Sequence, residues 1–183
     1  IQLATTDTLI QNVHFTPELT TWRELGWKAL AVNLSDIAAM GGVPEYSLVS
    51  LAIPPDTAVS SIEQLYHGIA DAASQFDVSI AGGNTSSAPL AIITIFVIGT
   101  TESKESSILT RSAASPGEMV AVTGYLGSSA AGLRMLKGHL NFDEETERFL
   151  RTSHLKPHPR VPEGQLLSRE GVRAAIDISD GLI

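Results

Sequence analysis

Residues 20–42, TTWRELGWKALAVNLSDIAAMGG, open on two threonines able to cap a helix, run through good helix formers and close on Gly41 and Gly42. The stretch predicts a helix from about Trp22 to Met40. Between Trp27 and Met40 it is apolar nearly all round, so most of its sides are expected to be buried. Asn33 and Asp36 then stand out. They lie one helical turn apart, and an ionised carboxylate there is costly without a cation or a set of donors. An internal hydrogen bond and a metal ligand are both open readings for them.

Outward from this helix the chain alternates in kind. Upstream, Gln2 to Ile10 mixes apolar and threonine residues at strand length. Downstream, EYSLVSLAIPP alternates and breaks at two prolines, as a strand would. AVSSIEQLYHGIADAASQF has apolar residues at helical spacing behind Ser60 and Ser61. VSIAGG and LAIITIFVIGT are rich in β-branched residues and suggest central strands. The order is βαβαββ.

TESKESS, at 101–107, is polar and serine-rich and marks the expected boundary between units at 1–107 and 108–183. Beyond it EMVAVTG predicts a strand, SSAAGLRMLKG and DEETERFLRTSH helices, LKPHPRVP a loop, EGQLLSRE a helix and AAIDIS a closing strand. That pattern suits the first part of an α/β domain, and the fold class is α+β. Ile1 opens directly into a strand and the chain stops at DISDGLI, where a helix should start, so it is expected to be part of a longer protein.

Composition narrows the function. The chain has 183 residues, a net charge of −8 and no lysine or arginine cluster, which argues against a nucleic-acid partner or an anionic membrane surface. An acidic protein still binds phosphorylated metabolites when divalent cations supply positive charge. Cysteine is absent. This removes thiolate chemistry and disulfides and agrees with a cytoplasmic setting. No segment has the long apolar run of a membrane helix.

Several residues carry possible chemistry. Asp177 and Ser179 in AIDISDGL alternate to one side of the expected strand, and Asp180 sits at the turn that follows, where it can cap a helix or hold a cation. AGGNTSSAP, 81–89, reads as a strand running into a Gly-Gly-Asn turn whose glycines let the backbone approach a phosphate, although such runs are commonly plain turns. TGYLGSSAAGL offers a second glycine-rich turn before a helix. Arg111 in LTRSAASPGE can meet a phosphate or stay at the surface. His14 taken alone is a loop histidine. Walker, dinucleotide-binding and HExxH motifs are absent. Acids and amides at strand ends, a glycine run and one basic residue favour phosphate chemistry assisted by divalent cations.

TTDTLIQNVHF, KALAVNLSDIAAMGGVP, AGGNTSSAP, LTRSAASPGE, TGYLGSSAAGL, HLKPHPR and AIDISDGLI together resemble the thiamine-monophosphate kinase family. Its superfamily also holds aminoimidazole ribonucleotide synthetase, selenophosphate synthetase and the hydrogenase maturation ATPase. The resemblance implies transfer of the ATP γ-phosphoryl group to thiamine monophosphate, giving the diphosphate, directly and in line with several Mg²⁺ ions and with no covalent nucleophile. It implies Thr5, Thr6, Asp7, Asp36, Asn84, Asp177 and Asp180 as metal ligands. Tyr66, Gly83, Asn84, Arg111 and Ser179 would contact the nucleotide and His14 the substrate. It also implies a homodimer in which the first sheet pairs with its twin and the active site lies at the domain and subunit junction.

Three positions depart from the family pattern. Asn84 stands where many members have Asp, Ser87 where Arg is frequent, and Ser128 where Asp is common. With much of the second domain outside the chain, these 183 residues alone are expected to be inactive or nearly so. A related synthetase and a non-catalytic dimeric binding module are the rival readings.

Overall fold

A computed structural model describes residues 1–101, 108–179 and 181. Its first part is a two-layer arrangement. Strands β1 (Gln2–Ile10), β2 (Val43–Ile53), β3 (Ser79–Ser87) and β4 (Ile92–Thr100) form one sheet in the order β1-β4-β2-β3. β4 is antiparallel to β1 and to β2, and β2 is parallel to β3. Helices α1 (Trp22–Ala39) and α2 (Val59–Gln75) make the second layer. The expected order βαβαββ is thus found.

Of the two candidate caps for α1, Thr21 serves. Its hydroxyl accepts from the Glu24 N–H at 3.2 Å while Glu24 Oε2 accepts from the Thr21 N–H at 2.8 Å, a reciprocal capping box. Gly41, at φ 71°, takes the left-handed conformation beyond the helix end. α1 is buried along Leu25, Trp27, Leu30, Leu34 and Ile37, which join Val49, Leu51, Leu65, Ile69, Ile93, Ile95 and Val97 in one core. Each fully buried aliphatic side chain contributes roughly 1.5–3 kcal/mol. α1 and α2 approach so closely that a Cβ on Gly26 would collide with the Leu65 carbonyl, and one on Gly68 with the Arg23 carbonyl. Ala58 precedes α2 as its N-cap and offers no side-chain cap, and Ser60 and Ser61 lie inside the helix.

After the boundary stretch come α3 (Ser128–Leu136), α4 (Glu144–Leu155) and α5 (Val161–Arg169), the three helices expected there. They dock on α1. The Trp27 indole N–H donates to the Pro157 carbonyl at 2.8 Å, the Lys156 ammonium lies 4.2 Å from the Trp27 ring centroid, and Arg151 pairs with Glu24 at 2.7 Å. A Cβ on Gly164 would collide with the Ala38 carbonyl, so α5 lies directly against the end of α1.

Four expectations change. EMVAVTG and AAIDIS form no strand in the described residues; Met119 is 99% and Val120 92% exposed, and Ile176 is 61% exposed. A strand needs a neighbour for its backbone groups, and neither segment has one among the described residues. β3 is an edge strand with every residue exposed, because GGNTSS offers little apolar surface to bury. Gly82 and Gly83 make no turn: they continue β3 alongside Leu48 and Val49, past a register shift between Ser47 and Leu48. Residues 102–107, most of the expected domain boundary, lie outside the described residues.

Candidate functional site

β1 divides TTDT between two faces of the sheet. Leu3 and Leu9 are buried against the helices and Thr5 and Asp7, in step with them, are half-buried on that side. Thr6 faces the other way and its hydroxyl donates to the Ile95 carbonyl at 3.1 Å. Three consecutive residues therefore do not present three side chains to one ion. Asp36 on α1 meets this strand directly, its Oδ2 accepting from the Thr5 hydroxyl at 2.5 Å. One residue earlier, the Ser35 hydroxyl donates to Asp177 Oδ2 at 2.9 Å. The structure thus brings Thr5, Asp36 and Asp177 to one end of α1, from three segments remote in sequence, with Asp7 on the same side of β1 as Thr5.

Asn33 takes the plainer of its two readings. It is fully buried and its Nδ2 donates to the Ala29 carbonyl at 3.0 Å, while its Oδ1 has no hydrogen-bond partner among the described residues.

Gly83 and Asn84 lie elsewhere. Asp7, Ile95, Val49 and Gly83 form one row across the sheet from β1 to β3. Three strand spacings separate the ends of that row, about 14 Å. Asn84 pairs in register with Ser50, which is exposed on the face away from the helices. Gly83 must be glycine, because a Cβ would run into the Val49 carbonyl. Ser87 ends the same exposed strand.

His14 sits in the turn after β1, where the Ile10 N–H donates to its Nδ1 at 3.0 Å. Nδ1 is thereby the acceptor nitrogen, so the neutral ring carries its proton on the exposed Nε2 side. Tyr66 lies on α2, half-buried against the core. Arg111 is exposed on a short 3-10 turn, Arg111–Ala113, and the neighbouring Thr110 N–H donates to the Arg173 carbonyl at 2.9 Å. The Arg111 turn therefore flanks the segment that leads to Asp177. Ser179 is exposed, and Asp180 lies outside the described residues. Ser128 starts α3 and donates to the Tyr125 carbonyl at 3.1 Å.

The junction between α1, α3 and α4 has its own electrostatics. Burial pushes His154 down to about 4, and the nearby positive charges of Lys28 and Lys137 act in the same direction. Burial likewise lowers Lys28. The Ser129 hydroxyl lies 3.0 Å from His154 Nδ1, so the neutral ring is held at the start of α3.

Comparison with known proteins places this geometry in a family. The profile for "AIR synthase related protein, N-terminal domain" matches residues 2–101, more than half of the chain. The chain belongs to the AIR synthase related family. Within that family it is 41% identical over 185 residues to the thiamine-monophosphate kinase of Bacillus subtilis, covering 99% of this chain and 56% of the relative. It is 40% identical over 179 residues to that of Escherichia coli K12, covering 97% of this chain and 53% of the relative. The chain thus spans about half the length of the curated relatives it matches. The crystal structure of thiamine monophosphate kinase from Aquifex aeolicus superposes with a TM-score of 0.90 at 37% identity, covering 100% of this chain and 60% of that one. AaThiL complexed with AMPPCP and TMP superposes with a TM-score of 0.84 at 36% identity, covering 92% of this chain and 53% of that one.

The donors at the end of α1 suit the magnesium ions implied for the family. They are hard carboxylate and hydroxyl oxygens, with no sulfur and no imidazole between them. Among the described residues no three acidic or histidine side chains converge into a ready cation cage. Mg²⁺ keeps several waters and takes one or two carboxylates together with substrate phosphates rather than a closed protein cage. Asp7, Asp36 and Asp177 would serve such ions, one or two carboxylates to each. The Thr5 hydroxyl donates to one of these acids, Asp36. Among the described residues no helix is long and apolar enough to cross a membrane.

Sequence reasoning passed over Ser35 and the Trp27–Pro157 hydrogen bond. Ser35 adjoins Asp36 in a helix otherwise apolar, a signal that was present in the sequence; the Trp27 contact spans 130 residues and left none.

Proposed function

We propose that the full-length protein bearing this chain phosphorylates thiamine monophosphate to thiamine diphosphate with ATP, acting in the cytoplasm. The observation that carries this reading is the meeting of the Thr5–Asp36 and Ser35–Asp177 pairs at one end of α1. Its support from outside is the similarity to AaThiL complexed with AMPPCP and TMP. When bound, Mg²⁺ would neutralise two polyphosphates that otherwise repel each other.

The chain's own residues then position rather than react. Asp7, Asp36 and Asp177 offer oxygens from both parts of the chain. Arg111 extends a guanidinium from the neighbouring turn toward nucleotide phosphate, with Tyr66 and Ser179 as further nucleotide contacts. His14 offers its Nε2–H to the substrate. With no side chain required as a nucleophile, transfer is direct and in line. Residues 1–107 would form the metal-binding, nucleotide-binding and dimerising unit, and residues 108–183 the first part of the second domain.

A homodimer completes this picture. Among the described residues nothing covers the sheet face away from α1 and α2, where Tyr46 and Leu48 are exposed. A second copy laid on that face would bury them and carry its own Gly83 and Asn84 toward the first copy's substrates, which one subunit holds about 14 Å from Asp7. The amide of Asn84 still ligates a cation but adds no charge.

Thermal melting of the full-length protein tests the reading. Mg²⁺ with ATP should raise the melting temperature, and thiamine monophosphate should raise it further, because each ligand binds only the folded state. A melting temperature indifferent to both ligands would refute it.

A further inference from the structure

The segment 172–179 lies in neither helix nor strand, yet it carries Asp177. Its backbone is tied to the Arg111 turn through the Thr110 N–H and the Arg173 carbonyl, four residues short of the acid. At the acid itself the hydrogen bond comes from Ser35, which reaches 142 positions along the sequence to do it. Consecutive residues on an α-helix point about 100° apart. α1 can therefore give Asp36 to β1 and Ser35 to the 172–179 segment within a single turn. The Ser35 hydroxyl takes Asp177 Oδ2 and leaves Oδ1 for another partner. Ser35 is itself half-buried, so the bond is shielded from competing water.

We propose that Ser35 is a positioning residue: its hydroxyl orients Asp177 so that this acid and Asp36, from the two parts of the chain, face one divalent-cation site. The inference rests on the magnesium reading above and assigns to α1 the task of setting the spacing between the acids. Outer-shell hydrogen bonds of this kind typically govern metal affinity by roughly 10–100-fold, because an unheld carboxylate must be ordered when the ion binds.

The test titrates Mn²⁺, a paramagnetic stand-in for Mg²⁺, into the full-length protein with AMPPCP present, following free Mn²⁺ by electron paramagnetic resonance. Ser35→Ala should raise the half-saturating Mn²⁺ concentration about tenfold. Ser35→Thr, which keeps the hydroxyl, should restore it, and the metal-free melting temperatures of the three proteins should agree closely. On an Asp177→Asn background Ser35→Ala should add little, because the group it orients is already neutral. Wild-type Mn²⁺ affinity in Ser35→Ala, full additivity with Asp177→Asn, or no rescue by threonine would overturn the proposal and leave the magnesium reading standing. Failure of the wild-type protein to bind Mn²⁺ would overturn both.

Discussion

The sheet with α1 and α2 and the stretch after residue 108 carry similar kinds of apolar sequence but treat them differently. In the first, Leu30, Leu34, Leu51, Leu65, Ile69, Ile93, Ile95 and Val97 are all fully buried in one cluster. In the second, Leu109, Leu150, Leu155 and Val161 are buried, whereas Met119, Val120, Tyr125 and Ile176 stand largely in solvent. Apolar sequence folds where it finds a surface to close against. α1 supplies such a surface on several sides.

The largest expected effect breaks the closed region. Gly68→Leu drives a side chain into the Arg23 carbonyl and should cost on the order of 3 kcal/mol or more, read as an early midpoint in urea unfolding. Met119→Ser, at a residue 99% exposed, should leave that midpoint within about 0.5 kcal/mol of wild type. Equal costs for the two substitutions would erase the contrast.

Next comes the uncovered sheet face. Leu48→Asp places a charge at the proposed twin interface and should weaken dimerisation by on the order of 100-fold, seen by light scattering across a dilution series. The same change should barely alter monomer stability, since Leu48 is already 42% exposed. A wild-type protein that stays monomeric at high concentration contradicts the pairing.

A smaller effect sharpens the junction between the regions. His154 takes up a proton at about 4 in the folded protein against an ordinary value of 6.5. The unfolded state therefore binds more protons between those values, so stability is whole above pH 6.5 and falls as the pH drops toward 4. After allowance for partial exposure the loss is about 1 kcal/mol. His154→Gln should flatten that part of the stability profile, and an unchanged slope would place the titration elsewhere.

Much of this was legible in the sequence, and what was not shares one cause. The capping box, the buried α1 and the order βαβαββ follow from local pattern, which short-range chemistry determines. The resemblance named Asp36 and Asp177, whose partners Thr5 and Ser35 meet them at one end of α1. Whether GGN turns or continues a strand depends on β2 lying alongside, and the fate of EMVAVTG and AAIDIS depends on neighbours far away in sequence. The resemblance grouped Thr6 with Thr5 and Asp7, while strand alternation sends its side chain to the opposite face. The Ser35–Asp177 bond, closed over 142 positions, is a product of packing that no local pattern encodes.

The central claim is that acids from both parts of the chain meet at α1 to hold the cations of phosphoryl transfer. Its most direct test is ADP release by the full-length protein, wild type against Asp36→Asn, with Mg²⁺, ATP and thiamine monophosphate supplied together and each omitted in turn. The account predicts release that requires all three components and falls by on the order of 100-fold or more in Asp36→Asn, with the ligand-free melting temperature little changed. Release independent of thiamine monophosphate, or turnover undiminished in Asp36→Asn, would contradict it.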